Sequence, residues 1–159
     1  MNSQATSISR LTIMVGVSLD EARGVVGIGL VLHETDRPGR NGPVIARIAE
    51  ADDVSGGRME EFAVLRALQI ASARGFRHVK VRSDCNRMRR RLKEDHQVGR
   101  GLVGDALHAE ILLLARSFEM TKFAFQPRRK NQEAHKLARA AAKILVPGER
   151  TEARPAKIR

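Results

Sequence analysis

The chain has 159 residues, enough for one domain with a proper core, and its 42% hydrophobic and 30% charged residues are those of a soluble globular protein. A formal net charge of +11 and a pI of about 11.1, with Arg outnumbering Lys about threefold, make nucleic acid the first partner to consider; the plain alternative is a basic surface without a dedicated ligand. Cys85 is the only cysteine, which excludes an internal disulfide or a cysteine-built zinc site and fits a reducing cytoplasm, and no apolar run reaches the ~18 residues of a membrane span.

In chain order, residues 1–10 are a polar extension without the apolar core of a signal peptide. Residues 9–19 and 27–32 are rich in β-branched and apolar side chains, with turn chemistry at residues 20–24, and so predict a hairpin. Residues 33–43 hold two Gly and two Pro and read as a loop; residues 44–51 alternate as a third strand. A helix is predicted over residues 58–74, with Met59, Phe62, Ala63, Ala67 and Ile70 at helical spacing and Gly75 ending it. A strand over residues 78–83 follows. Next come a short helix with Met88 and Leu92 inward, a Gly-bearing connection over residues 97–104, and an apolar helix over residues 105–117. Residues 118–125 read as a strand and residues 131–145 as an Ala-rich helix. Residues 147–159 are a basic tail without periodicity, expected to be disordered. The organisation is an N-terminal extension (1–10), one α/β domain (11–146) and the tail (147–159).

Two acids stand out. Asp84 follows an apolar strand, at the strand end where α/β sheets place their sites, and Glu60 sits in the first turn of a helix. Each alone reads as readily as structural, Asp84 as an N-cap and Glu60 as a complement to the helix dipole. The basic groups form two sets. Arg128, Arg129 and Lys130 precede the last helix, while Arg87, Arg89, Arg90, Arg91 and Lys93 crown the helix after Asp84. Phosphate contact is one reading of both, a solvated face the other. Asn131 reads either as a contact to backbone phosphate or sugar or as the N-cap of its helix. Cys85 reads as a small buried residue at a helix start rather than a nucleophile. With no Trp or Tyr, a stacking platform for single strands is disfavoured.

The segment 27–32 (Gly-Ile-Gly-Leu-Val-Leu), Glu60 with Ala63, Ala67 and Leu68 behind it, Ser83-Asp84-Cys85, and Asn131 with Ala134, His135, Leu137 and Ala138 occur in this order. From about residue 11 to residue 142 the chain thereby resembles a ribonuclease H domain, most closely the plant-type, reverse-transcriptase-like branch. The resemblance implies an α/β ribonuclease H-like fold, with a five-stranded mixed sheet (an antiparallel β1-β2-β3 meander plus parallel β4 and β5) flanked by helices. It implies cleavage of RNA in RNA–DNA hybrids, with four carboxylates holding two divalent ions, Mg2+ or Mn2+. Glu60, rather than Glu61, matches the family's helix glutamate, Asp84 its strand-end aspartate, and His135 its fourth ligand. The first-strand aspartate falls on Gly16, or on Val15 if the hairpin is one residue longer, and neither offers a ligand. Asp20 lies about 13 Å further along at ~3.3 Å per residue and reads as turn chemistry.

Two dications ~4 Å apart repel by roughly 16 kcal/mol at an effective dielectric near 20, and Glu60 with Asp84 supply half the family's compensating charge. One ion is therefore expected rather than a stable pair, and an aspartate at position 16 is expected to raise metal affinity. Three readings follow. The first is a domain that binds RNA–DNA hybrid or structured RNA and hydrolyses it, with Glu60, Asp84 and His135 at the metal and Arg128, Arg129, Lys130, Asn131, Arg87 and Arg90 on the nucleic acid. The second is a descendant that binds without cleaving, and the third a protein-interaction domain whose charge serves solubility. A monomer with no membrane partner is expected.

Overall fold

The computed structural model describes residues 8–53, 58–98 and 105–154. Two long strands, β1 (Arg10–Asp20) and β2 (Val25–Thr35), pair antiparallel from Arg10↔Thr35 to Asp20↔Val25, with Gly24 at φ +64° closing the turn. Strand β2 outruns the apolar stretch 27–32 at both ends, because Val25 and Val26 find buried places opposite β1. Strand β3 (Val44–Asp52) completes the meander against β2. Two parallel strands, β4 (His78–Ser83) against β1 and β5 (Met120–Phe125) against β4, extend the other side.

Alternation along β1 and β2 sorts the sheet into two faces. Leu11, Ile13, Val15, Ile28, Leu30 and Leu32 enter the main core. They pack there with α1 (Met59–Ala73), α2 (Asn86–Gln97) and α3 (Ala106–Ser117). Full burial of each large aliphatic side chain contributes about 1.5–3 kcal/mol, so this face carries most of the stability. The buried Glu50 of β3 is held across it by Arg66 of α1, at 2.8 and 2.9 Å. Gly75, at φ +81°, ends α1 as its position predicts, and the Asp105 side chain caps α3 by accepting from the Leu107 amide.

Among the described residues the opposite face takes a single helix, α4 (Gln132–Ile144), packed on β1, β2 and β3. It comes close because Gly16, Gly27 and Gly29 lie beneath it: a side chain at any of the three meets α4 main-chain atoms.

Among the described residues the sheet has six strands, in the order β5-β4-β1-β2-β3-β6, rather than the expected five. The extra strand, β6 (Arg150–Ala153), lies in the stretch expected to be disordered. Gly148, at φ +93°, turns the chain back, hydrogen bonds join Gly148 and Glu149 to Ala51, and Glu152 pairs with Arg74. All four residues of β6 are exposed, so no apolar period announced it. Residues 1–7, 99–104 and 155–159, which hold most of the N-terminal extension, most of the Gly-bearing connection and the end of the tail, lie outside the described residues.

Candidate functional site

The buried side chains Val79, Val81 and Ser83 of β4 face the main core, and Asp84, one residue on, turns to the α4 side of the sheet. There its Oδ2 lies 2.9 Å from Nε2 of His135 in the first turn of α4. His135 is buried, and its other ring nitrogen, Nδ1, has no hydrogen-bond partner. A proton on Nε2 makes this a charge-assisted hydrogen bond to the carboxylate. Asp84 and His135, 51 residues apart, are thus brought together as the resemblance implied.

Asn131 is a correction. Its side chain is buried and its Nδ2 donates to the Val15 carbonyl at 2.6 Å, so it neither caps α4 nor reaches solvent to meet a phosphate. The physical reason is the tight seat of α4. The helix start is pressed against the far half of β1, and Asn131 ties the two.

Position 16 decides what the site can hold. Val15 pairs with Ser83 and lies in the main core, whereas Gly16 lies on the α4 face, the side on which Asp84 meets His135. A Cβ on Gly16 would sit 2.6 Å from the carbonyl carbon of Ala134, 2.7 Å from the His135 nitrogen and 2.8 Å from the Ala134 oxygen. Helix backbone already fills the space a carboxylate would need, so the expectation that an aspartate here simply adds a ligand does not survive the geometry. Asp20 accepts from the Arg23 amide at 3.2 Å and is turn chemistry, as expected.

Glu60 opens α1 beside its neighbour Glu61. Arg58 takes Glu61 at 2.7 and 3.1 Å and also binds Asp105, clamping the starts of α1 and α3 together. The Glu61 hydrogen bond, with that of Asp105, raises the Arg58 pKa, and the Arg58 guanidinium in turn holds the Asp105 carboxyl below its ordinary value. Glu60 has no ion-pair partner among the described residues, which keeps it the freer of the two acids. It lines a groove with Cys85, Arg87, Met88, Arg91 and the buried His108.

Among the described residues no group of three or more His, Cys, Asp and Glu side chains is placed to hold a metal ion. Glu60 therefore does not join Asp84 and His135 as the three-ligand set the sequence suggested. The carboxylate of Asp84 is turned to an imidazole, the Gly16 position is filled, and Glu60 stands in its own groove. This donor set does not fit a pair of divalent ions.

The basic groups fare better. A short 3-10 turn, residues 128–130, precedes α4 and leaves Arg128, Arg129 and Lys130 exposed. Arg128 and Arg129 line a hollow with Gln132, His135 and Arg139, and no carboxylate lines it. Arg139 was missed in the sequence; its i+4 spacing from His135 was the available signal. Arg87 lies in the groove of Glu60, and Arg90 is exposed on α2.

A mixed sheet of this order, with three helices on one face and one on the other, defines a ribonuclease H-like fold. Residues 17–141 match the model of the reverse transcriptase-like family, and the chain belongs to that family. The N-terminal RNase H domain of a Mycobacterium tuberculosis protein, solved as a fusion with maltose-binding protein, superposes with a TM-score of 0.66 at 20% identity, covering 84% of this chain and 94% of that one. RNase H1 from the halophilic archaeon Halobacterium salinarum gives 0.65 at 20% identity, covering 84% and 98%. LC11-RNase H1, isolated from compost by a metagenomic approach and solved in complex with RNA/DNA hybrid, gives 0.61 at 20% identity, covering 85% and 96%. No curated protein matches the chain.

Proposed function

We propose that this chain is a nucleic-acid-binding domain of ribonuclease H descent, which takes RNA–DNA hybrid or structured RNA at the start of α4 and does not hydrolyse it through two metal ions. The observation that carries the reading is the helix backbone packed against Gly16, which removes the place of the first carboxylate and not merely its side chain. Binding is supported by the hollow of Arg128, Arg129 and Arg139, open and free of lining carboxylates. Three guanidinium groups offer paired N–H donors to phosphate oxygens where a sugar–phosphate backbone would lie. The hybrid bound to LC11-RNase H1, a protein of the same fold, agrees with this ligand class.

The rival reading keeps hydrolysis, with Mg2+ or Mn2+ on Glu60 and Asp84 and His135 assisting; the unpaired state of Glu60 favours it. One assay separates the two. Labelled hybrid is offered to the full chain with Mg2+ and with Mn2+, beside Glu60→Gln and Asp84→Asn. The expected result is salt-sensitive binding with no metal-dependent cleavage. Replacing Arg128 and Arg129 together by Gln is expected to lower the slope of log affinity against log salt by about 2, one for each phosphate left without its arginine. Cleavage that needs the metal and disappears in both acid variants would establish the rival instead.

A further inference from the structure

Helix α4 packs mainly on β1, β2 and β3, and among the described residues no helix packs on the same face of β4 and β5 to a comparable extent. Basic side chains predominate on that bare half, with Met120 and Ala124 of β5 the apolar exceptions. His78, Lys80 and Arg82 alternate along β4, and Lys122 sits directly opposite Lys80 on β5. Neighbouring strands run ~4.8 Å apart, and like charges directly opposite each other are destabilising unless something relieves them. Among the described residues neither lysine has an ion-pair partner. Partial burial, then Arg82 and Lys122, push the Lys80 pKa down from its ordinary value, as expected of a cation held among cations.

Lys80 and Lys122 are shared by two hollows. One, at the β1 start, adds Arg10, Arg37 and Arg40; the other, of about 490 Å³ at the outer edge of the sheet, adds Arg89, Lys93 and the exposed Phe125. No carboxylate lines either hollow. The nearby acid Glu119 is occupied by His78 and Arg77, and Arg10 commits one Nη to the carbonyls of Ile8 and Asp36. Among the described residues no carboxylate pairs with Lys80, Lys122, Lys93, Arg37, Arg40 or Arg89.

We propose that the bare face of β4 and β5 is a second nucleic-acid contact, in which the Lys80–Lys122 pair and the arginines beside it hold backbone phosphates of the same molecule that docks at the start of α4. From Arg82 to His78 the strand runs roughly 13 Å at ~3.3 Å per residue, a length over which one strand of a duplex presents about four phosphates at 3.4 Å of axial rise each. This rests on the function proposed above and names more of its surface.

The test measures hybrid binding by fluorescence anisotropy over a salt series, with the full chain and three variants: Lys80→Gln/Lys122→Gln, Arg128→Gln/Arg129→Gln, and all four together. Lys143→Gln, on the exposed last turn of α4, controls for general loss of charge, and thermal melts confirm folding. The lysine pair is expected to weaken binding on the order of tenfold and to lower the salt slope by about 2, additively with the arginine pair, while Lys143→Gln changes little. If the lysine variant binds as the parent does while the arginine variant weakens, the second contact is refuted and the proposed function stands. If the parent binds neither hybrid nor a structured RNA offered beside it, both fall. A calorimetric arm with inorganic phosphate covers the remaining source of such an anion. Heat of phosphate binding that disappears in the lysine variant, with hybrid binding unaltered, makes this a small-anion site and overturns the nucleic-acid contact.

Discussion

Gly16→Asp is the most direct test of the filled site. The new Cβ would lie 2.6–2.8 Å from three atoms, all of them main chain in the first turn of α4, so no rotamer change relieves the overlap and the helix itself must move. Overpacking of this kind costs about 1–3 kcal/mol. The carboxylate adds a buried polar group beside the carboxylate of Asp84, for roughly another 1–3 kcal/mol. At about 2–4 °C per kcal/mol for a domain of this size, Gly16→Asp should melt roughly 4–24 °C below the parent. Gly16→Ala carries the steric part alone and should fall in between. Circular dichroism melts with and without Mn2+ decide the matter. A variant that melts within about 2 °C of the parent, or that Mn2+ stabilises strongly through a restored ligand set, would refute the filled-site reasoning.

Three further outcomes follow from the same region and its neighbours. Asp84→Ala leaves both ring nitrogens of the buried His135 without a partner and should cost about 1–3 kcal/mol in urea unfolding, with Asp84→Asn milder because it keeps an acceptor. Asn131→Leu should cost a similar amount, about 1–3 kcal/mol, by releasing α4 from the Val15 carbonyl, with hybrid affinity changing only as far as stability does. Weaker affinity at unchanged stability would show that Asn131 touches the ligand after all. Asp105, whose carboxyl the Arg58 hydrogen bond holds below its ordinary 3.8, contributes stability that is present in full above that value and is lost as pH falls through the lowered one. Asp105→Asn should therefore be less stable than the parent at pH 7, with the difference shrinking as pH falls below 3.8, in urea melts over a pH series.

Much of this arrangement was legible in the sequence, and the misses have physical causes. Five of the six strands and all four helices carry apolar residues at the period their burial demands. Strand β6 does not, since its four exposed residues are held by hydrogen bonds at the adjoining turn and by Arg74, neither of which leaves a hydrophobic period. The meeting of Asp84 and His135 was readable because each sits at the end of a well-marked element. Asn131 was not, because a polar residue just before a helix ordinarily caps it, and here a tertiary hydrogen bond to β1 won. Gly16 was the hardest. A glycine in place of an acid reads as an empty seat, and only the packing of α4 on three glycines shows the seat taken. The bare half of the sheet was equally hidden, since it depends on which strands α4 covers rather than on any pattern within β4 or β5.

The exchange of charge at this end of the sheet gives the proposed reading its physical sense. In a two-ion nuclease the carboxylates exist to draw in dications, and the dications then meet the phosphate and activate water. Remove the first carboxylate and turn another toward a histidine, and the dications lose the field that held them. The phosphate still needs a positive partner, and Arg128, Arg129 and Arg139 sit beside His135 to supply one without any ion. Guanidinium groups hold a phosphate through paired hydrogen bonds, but they stay protonated at neutral pH and do not turn a bound water into hydroxide as a metal ion does. On the proposed reading, such a surface grips phosphate through its arginines and has no metal-bound nucleophile. It follows that affinity here should fall with monovalent salt and should not require Mg2+, which as a competing counterion weakens binding, the reverse of what a metal-built phosphate site would show.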